Sequence, residues 1–362
     1  MGKGISIYVG MKYSLEENMG YIIKAKELGF NAIFTSLHIP EADYAKAIEE
    51  FKEIAKLSKE LKMNIIADIS PRAFKYLGAD MNNLEAIKSL GIYGVRVDFG
   101  FSAAEIAQFT RNSCGLKIEI NASTVTSKFL KELEGFEPDY SKLQACHNYY
   151  PRCNTGISIN TFNRKNNMLS QYNMKISAFI PSLVNKRGPV FEGLPTLEIH
   201  RELAPLLAAK HLFALGIDDV LFGDGIPSLE ELQEVGKLQE DVIEFIVESF
   251  AHSKIEKSIM FNNIHENRSD SAEDVIRSTN SRETIGKENI ISPCNCVQRE
   301  KGYITIDNKD YLRYCGELQI CKKALRADKR VNVVGKIIQE ELFLLDYIED
   351  ETKFKFKEKH NK

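Results

Sequence analysis

The sequence predicts an α/β protein: a closed (β/α)8 TIM barrel followed by a small β-rich domain. Strand-like and helix-like segments alternate eight times within about 250 residues, the length such a barrel needs. No strand is followed by the Gly-x-Gly-x-x-Gly turn that would hold a dinucleotide, which counts against an open doubly wound sheet. From Ser253 the alternation of long helices and strands stops and hairpin-like stretches take over. The expected domains are therefore 1–252 and 253–362.

Each element follows from local pattern. Ile5 to Gly10 reads as a strand, and Leu15 to Leu28 as a helix closed by Gly29, the favoured residue just past a helix end. Ala32 to Ile39 and Asn64 to Ser70 are strands, with an amphipathic helix from Asp43 to Leu61 between them. Asn82 to Leu90 is a helix. Gly94 to Gly100 is a strand, followed by a helix from Ser102, a strand from Leu116 to Thr124 and a helix from Thr126 to Leu133. Leu143 to Tyr150 is a strand ended by Pro151, with a helix starting near Thr155. Lys175 to Pro181 is the seventh strand, before a long loop and a helix from about Arg201 to Leu215. Asp219 to Asp224 is the eighth, before a helix from Ser228 to about Phe250. In the second domain, Gly302 to Asp307 and Tyr311 to Leu318 alternate like hairpin arms, and Val331 to Ile338 and Glu341 to Ile348 read as further strands. The charged stretch Lys353 to Lys362 is expected to fray.

Composition narrows the function. Of 362 residues, 27% are charged and the formal net charge is -3, which marks neither a nucleic-acid binder nor a membrane-surface binder. The start of the chain lacks a signal-peptide core, and no apolar run is long enough to span a bilayer. Seven scattered cysteines suit free thiols in a reducing cytoplasm. Cys294, Cys296, Cys315 and Cys321 match no common zinc spacing, so neither metal nor cofactor is expected.

Barrel sites lie at the C-terminal ends of the strands, so the last inward residues of each strand are the candidates. Alternation selects Tyr8, Ser36 with His38, Asp68 with Ser70, Arg96 with Asp98, Asn121 with Ser123, Asn148 with Tyr150, Phe179, and Asp224. Arg96 and Asp98 share one face of a buried strand. Burying ions costs several kcal/mol unless they are paired or face water, so that strand should end in a polar cleft. A ring of carboxylates among Asn, Ser, His and Tyr suits a polyhydroxylated ligand. Glu119 also faces inward but one layer deeper, where Lys117 would pair with it. His147 points away from Asn148 if its strand stays regular, which suits a loop anchor; it is kept with the binding candidates. The run from Tyr149 to Gly156 would place a helix N-terminus, capped by Thr155, beside Arg152, a good anion site. The Gly- and Pro-rich loop from Gly188 to Arg201 would bring Thr196, Glu198 and Arg201 over the barrel mouth.

Several of these runs resemble the bacterial 6-phospho-N-acetylmuramidases. They are Phe34 to Glu41, Asn121 to Thr124, His147 to Arg152, Gly193 to Glu198 with His200 and Arg201, and Ile306 to Asn308 with Arg313 to Glu317. The resemblance spans both domains in order. It implies a barrel followed by a cyclophilin-like β domain, and hydrolysis of the β-1,4 bond between 6-phospho-N-acetylmuramic acid and N-acetylglucosamine in cell-wall recycling. The family motif leaves position 192 open and holds no Glu at position 119.

Such a reaction needs an acid and a second carboxylate. Asp98 and Asp68, on adjacent strands about 5 Å apart, form the first pair, with Glu198 the third candidate. Retention, inversion and participation by the substrate acetamido group all stay open. Arg96, Arg152 and Arg201 would meet the anionic groups of the substrate from the barrel, and Arg268 and Arg282 from the second domain. An aldolase or isomerase acting on sugar phosphates, and a non-catalytic carbohydrate-binding protein, are the alternatives.

Overall fold

The computed structural model describes residues 2–36, 44–69, 84–97, 100–284 and 290–359. The chain divides into two compact units, Met1–Lys237 and Leu238–Lys362.

The first unit is the expected closed barrel of eight parallel strands: β1 (Gly2–Ile7), β2 (Ala32–Ser36), β3 (Asn64–Ile69), β4 (Gly94–Val97), β5 (Lys117–Asn121), β6 (Leu143–Cys146), β7 (Lys175–Ile180) and β8 (Asp219–Phe222). It closes by pairing β1 with β8, Gly2 lying beside Asp219 and Gly4 beside Leu221. A Cβ on Gly4 would come within 2.9 Å of the Ala32 carbonyl oxygen on β2 and would crowd the Leu221 side chain, so glycine is favoured at this point. The helices among the described residues are α1 (Leu15–Glu27), α2 (Tyr44–Glu60), α3 (Glu85–Ser89), α4 (Ala103–Thr110), α5 (Ser127–Glu134), α6 (Ile159–Ser170), α7 (Pro205–Ala214) and α8 (Leu229–Gly236). Ser14, Ser102 and Ser228 start α1, α4 and α8 with reciprocal Ser–Glu capping boxes, which satisfy amides that have no partner within the helix. Inside the barrel Phe34, Cys146, Phe179 and Leu221 form an apolar plug beneath the strand ends.

The helix expected from Ser228 to Phe250 ends at Gly236 instead. The following Ile243–Ser249 is strand β9, with Ile243, Phe245 and Val247 buried in a period of two. It belongs to the second unit, so the division falls fifteen residues before the expected 252/253 boundary.

The second unit is a seven-stranded mixed sheet of order β10-β15-β9-β14-β12-β13-β11. Its other strands are β10 (His265–Glu266), β11 (Val275–Arg277), β12 (Tyr303–Asp307), β13 (Leu318–Cys321), β14 (Val331–Ile337) and β15 (Lys353–Glu358), and α9 (Lys254–Phe261) completes it. β12 and β13 pair antiparallel as expected, but Tyr311 to Tyr314, read as the start of the second arm, falls in the 3-10 helix Lys309–Tyr314. Glu341 to Ile348, expected to be a strand, instead falls largely in the 3-10 helix Gln339–Tyr347, and buried Glu341 accepts the amide of Ile246 at 2.6 Å. The stretch expected to fray carries β15, which pairs with both β9 and β10. Phe354 and Phe356 are buried while Lys353 and Lys357 on either side of them are exposed. Alternation of apolar and charged residues outweighs charge content there.

Candidate active site

The in-register pairing of the barrel strands decides which polar groups meet. Ser36 lies beside Asp68, Asp68 beside Arg96, and Arg96 beside Glu119 on four consecutive strands. Ser36 Oγ donates to Asp68 Oδ2 at 3.3 Å. Arg96, only 2% exposed, reaches across the lumen. Its Nη1 donates to the carbonyl of His147 at 3.3 Å and its Nη2 to Asn148 Oδ1, with the guanidinium 5.9 Å from the Phe34 ring centre. Asn121 Nδ2 donates to the same Asn148 oxygen at 3.1 Å, while Asn121 Oδ1 accepts the amide of Ser123 at 2.9 Å. The strand ends thus place Ser36, Asp68, Arg96, Asn121 and Asn148 in one polar constellation above the apolar plug. Asp98, His38 and Ser70 lie outside the described residues.

Glu119 forms no ion pair with Lys117. Lys117 Nζ instead donates to the Ser141 carbonyl at 2.6 Å, and Glu119 Oε2 accepts from Gln144 at 2.7 Å. Burial raises the Glu119 carboxyl above its ordinary value, opposed by Arg96.

Two further residues that sequence reasoning missed complete the mouth. Pairing of β6 stops at Cys146, so the expected alternation to Tyr150 is lost and the inward ring is that of Tyr149. It stands edge-on to Phe179 at 5.2 Å, Phe34 at 6.1 Å and Tyr8 at 6.5 Å. Tyr150 contributes its backbone instead, its amide donating to Pro195 and its carbonyl accepting from Arg201. The guanidinium of Arg187 lies 4.2 Å from the Tyr8 ring centre and donates to Tyr149 Oη at 3.2 Å. The lone sequence signal for Arg187 was its place just before Gly188 and Pro189. Tyr8 itself donates to the Gly223 carbonyl at 2.6 Å, and burial pushes its phenol well above its ordinary value.

Five expected ligand-binding or catalytic side chains are instead occupied by the protein. Arg201 grips Glu198 through two parallel 2.7 Å bonds, and its remaining N–H groups donate to the carbonyls of Tyr150, Arg152, Glu192 and Gly193. Glu198 also accepts the amides of Asn154 at 2.8 Å and Gly156 at 2.7 Å. Arg201 and these amides hold its carboxyl down to about 2. Thr196 is fully buried, accepting the Phe179 amide and donating to the Asn148 carbonyl. Asp224 is fully buried and accepts the amides of Ser182, Arg187 and Leu194 at 2.9 to 3.0 Å. Burial raises its carboxyl nonetheless. His147 is buried on the outer side of the barrel wall, bonded to Ser123 and Asn166 and stacked on Phe162 at 4.4 Å. Burial lowers it to about 4, so it is neutral.

The anion cradle expected near Arg152 is filled from within the chain. Helix α6 is capped by Ser158 rather than Thr155, whose hydroxyl donates to the Arg152 carbonyl at 2.5 Å. The Cys153 amide donates to Glu192, and the Asn154 and Gly156 amides to Glu198. Arg152 itself is exposed. In the second unit Arg268 is paired with Asp270, and Arg282 donates to the Arg313 carbonyl.

A closed parallel barrel with carboxylate, guanidinium, amide and phenol groups gathered at its strand ends is the TIM-barrel class, with its polar groups on the face where such barrels carry their sites. Residues 3–237 match the N-terminal domain of the 6-phospho-N-acetylmuramidases and residues 243–357 match the C-terminal domain. The chain belongs to the 6-phospho-N-acetylmuramidase family, whose name is that of a glycosidase. Two solved structures resemble it along their whole length. An uncharacterized B. cereus protein is 35% identical, with 98% of this chain and 99% of that one covered and a TM-score of 0.85. A conserved Enterococcus faecalis protein of unknown function is also 35% identical, with 99% and 97% covered and a TM-score of 0.70. No curated protein matches the chain. Among the described residues, no helix is long and apolar enough to cross a membrane.

Proposed function

We propose that the protein hydrolyses the β-1,4 bond of 6-phospho-N-acetylmuramyl-N-acetylglucosamine. It would release 6-phospho-N-acetylmuramic acid as a cytoplasmic step of peptidoglycan recycling. The observation that carries this reading is the row Ser36–Asp68–Arg96, joined to Asn121 and Asn148 at the strand ends, in a chain of this family. A carboxylate beside a guanidinium and two amides offers the acceptors and donors that sugar hydroxyl and acetamido groups need. Asp68 is one of the two carboxylates that glycoside hydrolysis requires, and Asp98 is its proposed partner. Glu198, with four donors on its two oxygens, is assigned to the loop framework and not to proton transfer. Among the described residues Arg96 lies within the constellation and Arg187 against Tyr8 and Tyr149 at the mouth, and we assign them to the anionic groups of the sugar.

Lys117 and Lys175, which an imine-forming aldolase would need at the mouth, begin their strands at the opposite end. Lys117 is bonded to Ser141 and Lys175 to Asp219. The test is to incubate the purified protein with a β-linked 6-phospho-N-acetylmuramic acid glycoside and with its unphosphorylated twin. The Asp98→Asn variant runs alongside, and NMR follows the anomeric product. Phosphate-dependent cleavage that the variant loses supports the reading, and the first-formed anomer separates retention from inversion. Absence of cleavage by folded protein overturns it.

A further inference from the structure

The second unit contains three guanidinium groups gathered around one buried carboxylate. Arg268 and Arg277 stand on adjoining segments, joined by the 3.2 Å bond from the Arg268 amide to the Arg277 carbonyl. Arg282 follows in the 3-10 turn whose Ser281 hydroxyl accepts the amide of Leu318 at 2.9 Å, which brings it next to Glu317. Glu317 is 3% exposed and electrostatically coupled to all three arginines.

Two of the three guanidiniums are held in the same way. Arg277 donates from Nε to Glu317 Oε1 at 2.9 Å and from Nη2 to Oε2 at 3.4 Å, and Gln319 donates to Oε1 at 3.0 Å. Arg268 donates from Nε to Asp270 Oδ1 at 2.6 Å and from Nη2 to Oδ2 at 3.2 Å. A carboxylate on the Nε side fixes the plane of the fork and leaves the Nη1 edge for another acceptor. Arg282 spends Nη1 on the Arg313 carbonyl and has Nη2 to offer. Three arginines against Asp270 and Glu317 leave one net positive charge. Burial pushes the carboxyl of nearby Asp307 up to about 7, so it offsets that charge only in part at neutral pH.

We propose that Arg277, oriented by Glu317 and flanked by Arg268 and Arg282, forms an anion site built wholly within the second unit, whose ligand is a phosphate monoester. Arg277 is the binding residue and Glu317 a positioning residue. Planar, pre-oriented forks suit tetrahedral oxyanions better than lysines do. That the monoester belongs to the 6-phosphosugar rests on the hydrolase reading, whereas the site rests on the second unit alone.

The test is calorimetric titration of the full-length protein with inorganic phosphate, N-acetylglucosamine 6-phosphate and unphosphorylated N-acetylglucosamine. Wild type should bind both phosphates and not the plain sugar. Arg277→Ala should weaken phosphate binding about tenfold or more, as expected for losing a charge-assisted bond. Arg277→Lys, which keeps the charge and loses the fork, should not restore it. Glu317→Gln should weaken binding with thermal unfolding followed in parallel, and Arg282→Ala, at an exposed position, gives a second reading without risk to folding. Wild-type phosphate affinity in Arg277→Ala and Arg282→Ala, or equal affinity in Arg277→Lys, overturns the site. Phosphate binding that depends on Arg277 in a protein that cleaves no glycoside would sink the hydrolase reading and leave the site standing. Phosphate-dependent hydrolysis by a protein whose phosphate binding is indifferent to Arg277 would do the reverse.

Discussion

Arg201 and Glu198 are joined by two parallel 2.7 Å hydrogen bonds, and between them they fasten the loops 150–156 and 192–198 through six further backbone groups. Their side chains are 5% and 28% exposed, so the pair is largely shielded from water. Replacing Glu198 with Gln leaves a buried guanidinium without its counter-charge, and should cost about 2 kcal/mol. The folded Glu198 carboxyl is depressed to about 2. Its contribution is therefore complete above the ordinary glutamate range and is lost as pH falls toward 2. Denaturant titrations of wild type and Glu198→Gln should differ at pH 7, and the gap should narrow steadily as pH falls from 4.5 toward 2. A constant gap across that range would show that the carboxylate charge is not what matters.

His200 and His211 are both fully buried, with Nε2 and Nδ1 2.9 Å apart. Burial lowers them to about 3 and about 4, and lowers His265 in the second unit to about 4. Unfolded chains take up protons near pH 6.5 while these folded rings stay neutral, so stability falls as pH drops below 6.5 and keeps falling toward 4. Each such histidine contributes about 1.4 kcal/mol per pH unit within that window. Proton uptake on unfolding, measured at pH 5.5 and at pH 7.5, should be larger at the lower pH. His211→Asn should reduce the uptake at pH 5.5 by about one proton.

Asp68→Asn keeps an acceptor for the Ser36 hydroxyl and nearly the same volume, so the barrel should fold normally. The turnover number on the phosphorylated glycoside should fall at least about a hundredfold, the range of general acid–base and nucleophilic roles, with KM changed only a few-fold. A variant that retains turnover would remove Asp68 from the chemistry.

Arg187→Ala removes a cation from the faces of Tyr8 and Tyr149. An increase in KM of about tenfold is expected, with the main-chain bond from residue 187 to Asp224 preserved. Steady-state kinetics on phosphorylated and plain glycosides would show whether the loss is confined to the phosphorylated substrate. Equal KM values for wild type and variant would make Arg187 a packing residue only.

Local pattern determined the barrel. Near-continuous burial marks β3 and β7, which end within one residue of their expected bounds, and alternation of side-chain direction put Ser36, Asp68, Arg96, Asn121 and Asn148 on the inner face. Where strands end early, alternation stops being informative, and at β6 this exchanged Tyr150 for Tyr149. Charge content misled at β15, and apolar content misled at β9, because both segments owe their conformation to partners on distant strands.

Tertiary structure alone decided which polar side chains the loops occupy. Glu198, Arg201, Thr196, Asp224 and His147 have the residue types of a sugar site, but their partners come from segments up to 51 positions away in sequence. A buried polar group takes whatever donor or acceptor the fold brings within reach, because leaving it unpaired costs more than binding a ligand returns. Apart from the Glu198–Arg201 pair, whose members are three residues apart, that pairing is a property of loops meeting in space, which no spacing of residues along the chain encodes.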